Sequence, residues 1–254
     1  MKKSWIINGV MVVTYGWMMV ANVLANALPL YGVTTGQVSD RYFNLFAPIG
    51  LTFSIWGLIY LLLFLYIVTV VSTVYSPLNQ RKRDSVNLLF ALSSFANGLW
   101  IFAWHRYSIF LSVLLMLIIL GCLAAISILI KHEKGLIKAT FGIYFGWITV
   151  ATIANITIFL VSIRGYTNVA MNLQTVLILF IGLLIASLTI YRQKDLYYGS
   201  VIVWAYLGIY LKHINPNAFD RGYPSIIQAT LISIVVLILV MLLTAIKKKP
   251  LLNR

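Results

Sequence analysis

The chain has 254 residues, 61% hydrophobic and 9% charged, with a mean hydropathy of +0.96. Soluble domains carry about 25% charged residues, so 19 Lys and Arg with 5 Asp and Glu cannot coat a water-exposed particle of 28.6 kDa. That excludes a cytosolic enzyme, a disulfide-stapled secreted domain and a disordered tail, and leaves an integral membrane protein. The single cysteine, Cys122, lies in an apolar run, reads as a small buried hydrophobe, and has no partner for a disulfide or a thiolate metal site. The net charge of +14 does not imply nucleic acid, because the cations fall between apolar runs instead of on one soluble face.

A helix needs about 20 apolar residues to cross roughly 30 Å of hydrocarbon. In chain order, residues 5–28, 49–74, 86–104, 109–130, 136–163, 170–190, 196–211 and 226–246 qualify or nearly do. The seventh is the weakest, short and interrupted by Gly199 and Gly208. The runs are continuous, whereas barrel strands alternate in short segments. The expected fold is all-α, a polytopic transmembrane bundle of eight spans. The cations set its orientation. With the N-terminus in the cytoplasm, one side receives Lys2, Lys3, Arg81, Lys82, Arg83, Lys131, Lys134, Lys138, Arg192, Lys194, Lys247, Lys248, Lys249 and Arg254. The other receives Arg41, Arg106, Arg164, Lys212 and Arg221. Both termini are therefore expected in the cytoplasm, and the location is the cell membrane. Lys2-Lys3 and Ala25-Asn26-Ala27 around the first run also resemble a signal peptide, but that run is longer than a usual signal core and carries Asn8, Asn22 and Asn26.

Two outer loops carry turn chemistry. Residues 29–43, with Gly32, Gly36 and an Asp40-Arg41 pair, are suited to cap the bundle; residues 213–224 read as a solvated connector. A faint repeat relates 117–153 to 177–212, a duplication of the kind seen in transporters.

Ionisable groups at membrane depth are costly and mark function, and no span has one in its interior. His105, His132 and His213 are scattered; with five carboxylates outside the apolar runs they form no metal set, dyad or proton relay. No enzyme and no cofactor is expected. The apolar runs concentrate aromatic and amide residues instead. Trp56 and Tyr60 lie one turn apart on one helix face. Asn97, Trp100 and Trp104 share a face of the third run, and Tyr144, Trp147, Ala151 and Asn155 form a stripe on the fifth. An amide in hydrocarbon needs a partner on another helix, so Asn97 and Asn155 are expected to point inward as interhelical contacts.

Pro48 followed by Trp56-x-x-x-Tyr60, Asn97-x-x-Trp100 followed by His105-Arg106, and Tyr144-x-x-Trp147-x-x-x-Ala151-x-x-x-Asn155 together resemble the tryptophan-rich sensory protein family (TspO/MBR, the translocator or peripheral benzodiazepine receptor family), in order and spacing. The resemblance covers residues 1–163 and implies a five-helix bundle there, with 164–254 adding three helices. It implies a cavity opening toward the first loop that binds a planar hydrophobic ligand, a porphyrin or sterol, lined or supported by Trp56, Tyr60, Asn97, Trp100, Tyr144, Trp147, Ala151 and Asn155. The implied role is sensory or in transport, with membrane lipid and a homodimer as partners. Departures stand at Gly50 (usually aromatic) and at Phe53 and Ile143, where the family has prolines. A facilitator-type transporter of a small solute is the alternative reading, drawing on the three added helices.

Overall fold

The computed structural model describes residues 2–28, 30–72, 78–164 and 168–248, and every regular element among them is helical. In lipid each backbone polar group must be satisfied within its own segment, which continuous helices achieve. The helices are α1 (Lys2–Asn26), α2 (Thr35–Asp40), α3 (Ile55–Val71), α4 (Gln80–His105), α5 (Ile109–Leu129), α6 (Leu136–Arg164), α7 (Asn168–Gln193), α8 (Leu196–Ile214) and α9 (Pro224–Lys248). A tight 3₁₀ turn, Gly50–Ser54, leads into α3. Pro29, the expected end of the second span at Val74, and Lys249 and Arg254 lie outside the described residues.

Among the described residues, seven helices are long and apolar enough to cross a membrane: α1, α3 with its leading turn, α4, α5, α6, α7 and α9. The chain is thus a multi-pass integral membrane protein. The helix over the seventh expected span, α8, is not among them, and packing explains its weak hydropathy. It is wedged inside the bundle against α6, α7 and α9, with Tyr198, Ile202, Ala205, Tyr206 and Ile209 buried. Its glycines serve close approach: a Cβ on Gly208 would run into Thr52 and Pro48, and one on Gly199 would lie 2.9 Å from Met241 Sδ. Small residues at helix crossings are the usual route to tight packing in a membrane.

Packing runs in sequence from α1 on α4 through α5 to α6, which meets both α3 and α8, and then to α9. One apolar core includes Phe141 and Ile148 of α6, Leu179 of α7, Tyr206 of α8 and Leu237 of α9, so it is continuous across residue 163. The two hairpins of the faint repeat pack differently. The pair α5–α6 is in extensive contact, whereas α7 leans mainly on α9 and α8 on α6 and α9.

Two of the asparagines that interrupt the first run, Asn8 and Asn22, are rungs between α1 and α4, whereas Asn26 Nδ2 donates to Asn22 O within α1. Asn87 Nδ2 donates to Asn8 Oδ1 (2.8 Å) and accepts from Tyr66 Oη at its own Oδ1 (2.6 Å), while Asn22 Nδ2 donates to Asn97 Oδ1 at 2.8 Å.

The structure adds detail to three expectations. α4 begins at Gln80, with Asn79 capping it by accepting from Lys82 N–H at 3.0 Å; the cap draws Arg81, Lys82 and Arg83 into the helix. Lys138, at the start of the expected fifth span, lies in the first turn of α6 but is buried, 3% exposed, with Nζ 3.2 Å from Asp195 Oδ2. Finally, the 213–224 segment is largely solvated, with Pro216, Asn217, Ala218, Asp220, Arg221 and Gly222 exposed, but it is anchored where it leaves α8. His213 is fully buried, its Nε2 donates to Leu45 O at 2.9 Å, and its ring packs on Phe219 at 4.6 Å and Tyr223 at 5.8 Å.

Candidate ligand cavity

The bundle end that carries α2, called the outer end below, holds a cavity of about 430 Å³. Its walls come from α1 (Asn22, Asn26), α2 and its cap (Thr35, Ser39, Asp40), the segment Ala47–Phe53, α3 (Trp56, Tyr60), α4 (Trp100) and the last turn of α8 with its following loop (Lys212, Ala218). A narrower recess of about 60 Å³ continues inward between Trp100, Trp104, Trp147, Ala151, Ala154 and Asn155.

Local structure sets each wall. Thr34 and Gln37 form a reciprocal capping box that starts α2 over the mouth, and the indole N–H of Trp104 donates to Thr35 O at 3.1 Å, tying that cap to α4. Two arginines fix the same loop by stacking on tyrosines, Arg41 at 4.4 Å over Tyr107 and Arg106 at 5.5 Å over Tyr31. Both tyrosines hold left-handed backbone, at φ 57° and 56°. On the opposite wall, Ile49 N–H donates to Gly208 O (3.1 Å) and the Trp204 indole N–H to Thr52 O (3.1 Å), pinning the 3₁₀ turn to α8.

Six of the eight expected site residues border this space: Trp56, Tyr60, Trp100, Trp147, Ala151 and Asn155. Trp56 stacks on Tyr60 at 5.4 Å and meets Trp147 edge-on at 6.0 Å; Trp100 stacks on Trp104 at 5.6 Å. Offset and edge-to-face pairs of this kind are favoured by the ring quadrupoles. Asn155 Oδ1 accepts from Ser112 Oγ at 2.7 Å and from the Trp100 indole at 3.5 Å. The remaining two, Asn97 and Tyr144, are fully buried behind the wall. Asn97 Nδ2 donates to Tyr144 Oη at 3.4 Å, and the Tyr144 ring backs Trp56 at 6.3 Å. They support the aromatic residues and do not line the space.

Phe53 occupies a position where the family resemblance leads one to expect proline. The chain breaks into a 3₁₀ turn there without it, and the ring meets Trp147 edge-on at 5.6 Å. At Ile143, the other departure, α6 runs on uninterrupted. Reading motifs missed Asn22, Thr35, Phe53, Asp40 and Lys212. Asn22 carried a signal, an amide in an apolar run. For Lys212 there was none, because only the packing of α8 brings it to the mouth.

The mouth carries two charges of opposite sign. Asp40 is exposed and Lys212 half-buried, and no ion pair joins them. Burial pulls the Lys212 ammonium below the ordinary lysine value, and the Asp40 carboxylate opposes that shift. Among the described residues no three His, Cys, Asp or Glu side chains gather as a metal set. Chemically, the cavity offers indole faces and aliphatic surface inside and a few polar groups at the rim.

No curated protein and no solved structure matches this chain. A family model described as TSPO-like protein matches residues 6–243, from the first turns of α1 well into α9 and so beyond the five helices of the resemblance, and the chain belongs to the TSPO-like protein family.

Proposed function

We propose that the outer-end cavity binds a planar hydrophobic ligand, a tetrapyrrole or a sterol-like molecule, and that occupancy serves a sensory or transport role in the cell membrane. The observation that carries this reading is the convergence of Trp56, Trp100 and Trp147, from three different helices, on one space. A volume of about 430 Å³ lies within the range of small-molecule sites, which are mostly apolar with a few placed polar groups. The inner recess holds about two waters' worth of space, so the ligand body occupies the outer chamber and only an edge reaches the indoles beneath. Such a lining favours stacking, and the proposed role is binding without turnover.

The test uses purified protein and a porphyrin, followed by the shift of the porphyrin absorption band because each tryptophan variant removes an emitter. Saturable binding is expected in the micromolar range, about −8 kcal/mol. Trp147→Ala should weaken it, whereas Trp5→Ala, 70% exposed at the far end of α1, should not. Trp204 makes a poor control despite its place in the added helices, since its indole holds Thr52 on the cavity wall. If Trp56, Trp100 and Trp147 variants all bind like the parent, the reading falls; solute uptake into proteoliposomes would then favour a facilitator.

A further inference from the structure

We infer that the ligand of this cavity carries an anionic group, a carboxylate, and that Lys212 of α8 is its counter-ion; the inference rests on the binding role proposed above. Lys212 is the one cation among the described residues lining the space. Its position is built, not incidental. The next residue, His213, is locked by its bond to Leu45 O, and one turn earlier Gly208 O accepts from Ile49 N–H. The last turn of α8 is therefore fixed against the wall, and the lysine stem leaves it toward the mouth.

The ammonium has three donors, yet among the described residues no carboxylate lies within ion-pair distance of it; Asp40 acts on it only through space. Its close neighbour is the Phe219 ring, 5.5 Å from Nζ, an aromatic face that tolerates a cation without neutralising it. The side chain is half-buried, so the charge has lost part of its water, which is costly, and the exposed Asp40 carboxylate offsets that loss without pairing with it. Two other cations at this end are already engaged: Arg41 lies over Tyr107, and Arg106 Nε donates to Tyr31 Oη at 2.8 Å. Lys212 is left facing the cavity.

Asp40 is the competing charge, and it would favour a cationic ligand instead. Position decides between them. Asp40 is exposed, where water and salt weaken its reach; Lys212 lies in a lower-dielectric setting, where the same charge acts more strongly. An anion near Lys212 gains more than it loses to Asp40. The preferred ligand is thus an amphiphile, with an apolar ring body toward the indoles and its carboxylate at the rim.

The experiment compares a dicarboxylic porphyrin with its dimethyl ester, on the full chain in phosphatidylcholine nanodiscs. Lys212→Gln should weaken binding of the acid about five-fold, as expected for a partly exposed ion pair, and leave the ester unchanged. Lys212→Arg should restore the acid, and Asp40→Asn should tighten it. If Lys212→Gln leaves both affinities unchanged, or lowers both equally, while Trp147→Ala still weakens them, the counter-ion is refuted and the binding site stands. If neither porphyrin binds saturably in a Trp147-sensitive way, the binding reading fails and this inference with it.

Discussion

The buried pair between Lys138 and Asp195 makes a sharp prediction about what holds α8 to α6. Both side chains are nearly inaccessible, at 4% and 1%, with Nζ 3.2 Å from Oδ2. Lys138 Nζ also donates to Gln193 O at 3.4 Å, and Asp195 Oδ1 accepts from Tyr198 N–H at 3.1 Å, capping α8. Gly142 makes room for the carboxylate, since a Cβ there would lie 2.7 Å from Oδ1. Removing one member of a buried pair strands the other charge and costs about 3–5 kcal/mol. Lys138→Met keeps the length of the apolar stem and should show that loss; Asp195→Asn keeps an acceptor for the cap and should show a similar one. The double variant strands no charge, so it should recover most of the stability, a non-additivity expected only of groups in direct contact. Equilibrium unfolding in mixed detergent micelles, with α8 reported by Trp204 emission, gives all four corners of the cycle. Single variants within about 0.5 kcal/mol of the parent, the range of ordinary surface changes, would refute the argument by showing that water reaches the pair.

Two further outcomes follow from the same packing. Asn97→Leu and Asn155→Leu should each lower stability of the ligand-free protein by about 0.6–2 kcal/mol, the worth of an interhelical hydrogen bond in a membrane; a variant that leaves stability unmoved but abolishes porphyrin binding marks a direct ligand contact instead. If α8 crosses the membrane as an eighth span, cysteine labelling in intact cells should find sites near Arg81, Lys134 and Lys194 cytoplasmic and sites near Gly36 and Asn217 outside, and a cytoplasmic site near Asn217 would overturn that expectation.

Where a helix faces lipid, hydropathy and packing ask for the same residues, so α1, α3, α5, α7 and α9 were legible as spans. Exposed side chains such as Phe64, Phe110, Leu173 and Leu243 record that demand directly. α8 was hard to read for the opposite reason. One face packs on α6, α7 and α9, and there it trades apolar bulk for Gly199, Gly208 and tyrosines, of which Tyr206 donates to Leu179 O at 2.8 Å. The polar and small residues of that packed face lower the hydropathy of α8, although Tyr197, Leu207 and Leu211 on the other face are exposed. Lys138 fell within the expected span 136–163, but its burial was not legible, because the carboxylate that pairs with it, Asp195, lies beyond α7 in the chain.

The candidate cavity divides along similar lines. Stripes on single helices are periodic, so Trp56 with Tyr60, Asn97 with Trp100 and Trp104, and Tyr144 with Trp147 and Asn155 could be grouped without coordinates. Periodicity cannot separate a residue that lines a space from one that props up its wall. Asn97 and Tyr144 share stripes with lining residues, yet both are fully buried behind it. The rim lay beyond reach for a different reason. It is assembled from Asp40, the Pro48–Thr52 segment and Lys212, and the bonds that bring these together, His213 to Leu45 and Trp204 to Thr52, span 168 and 152 residues. No local pattern encodes such a meeting. Under the proposed binding role, α2 and α8 therefore supply rim groups, Asp40 and Lys212, that the aromatic stripes do not contain.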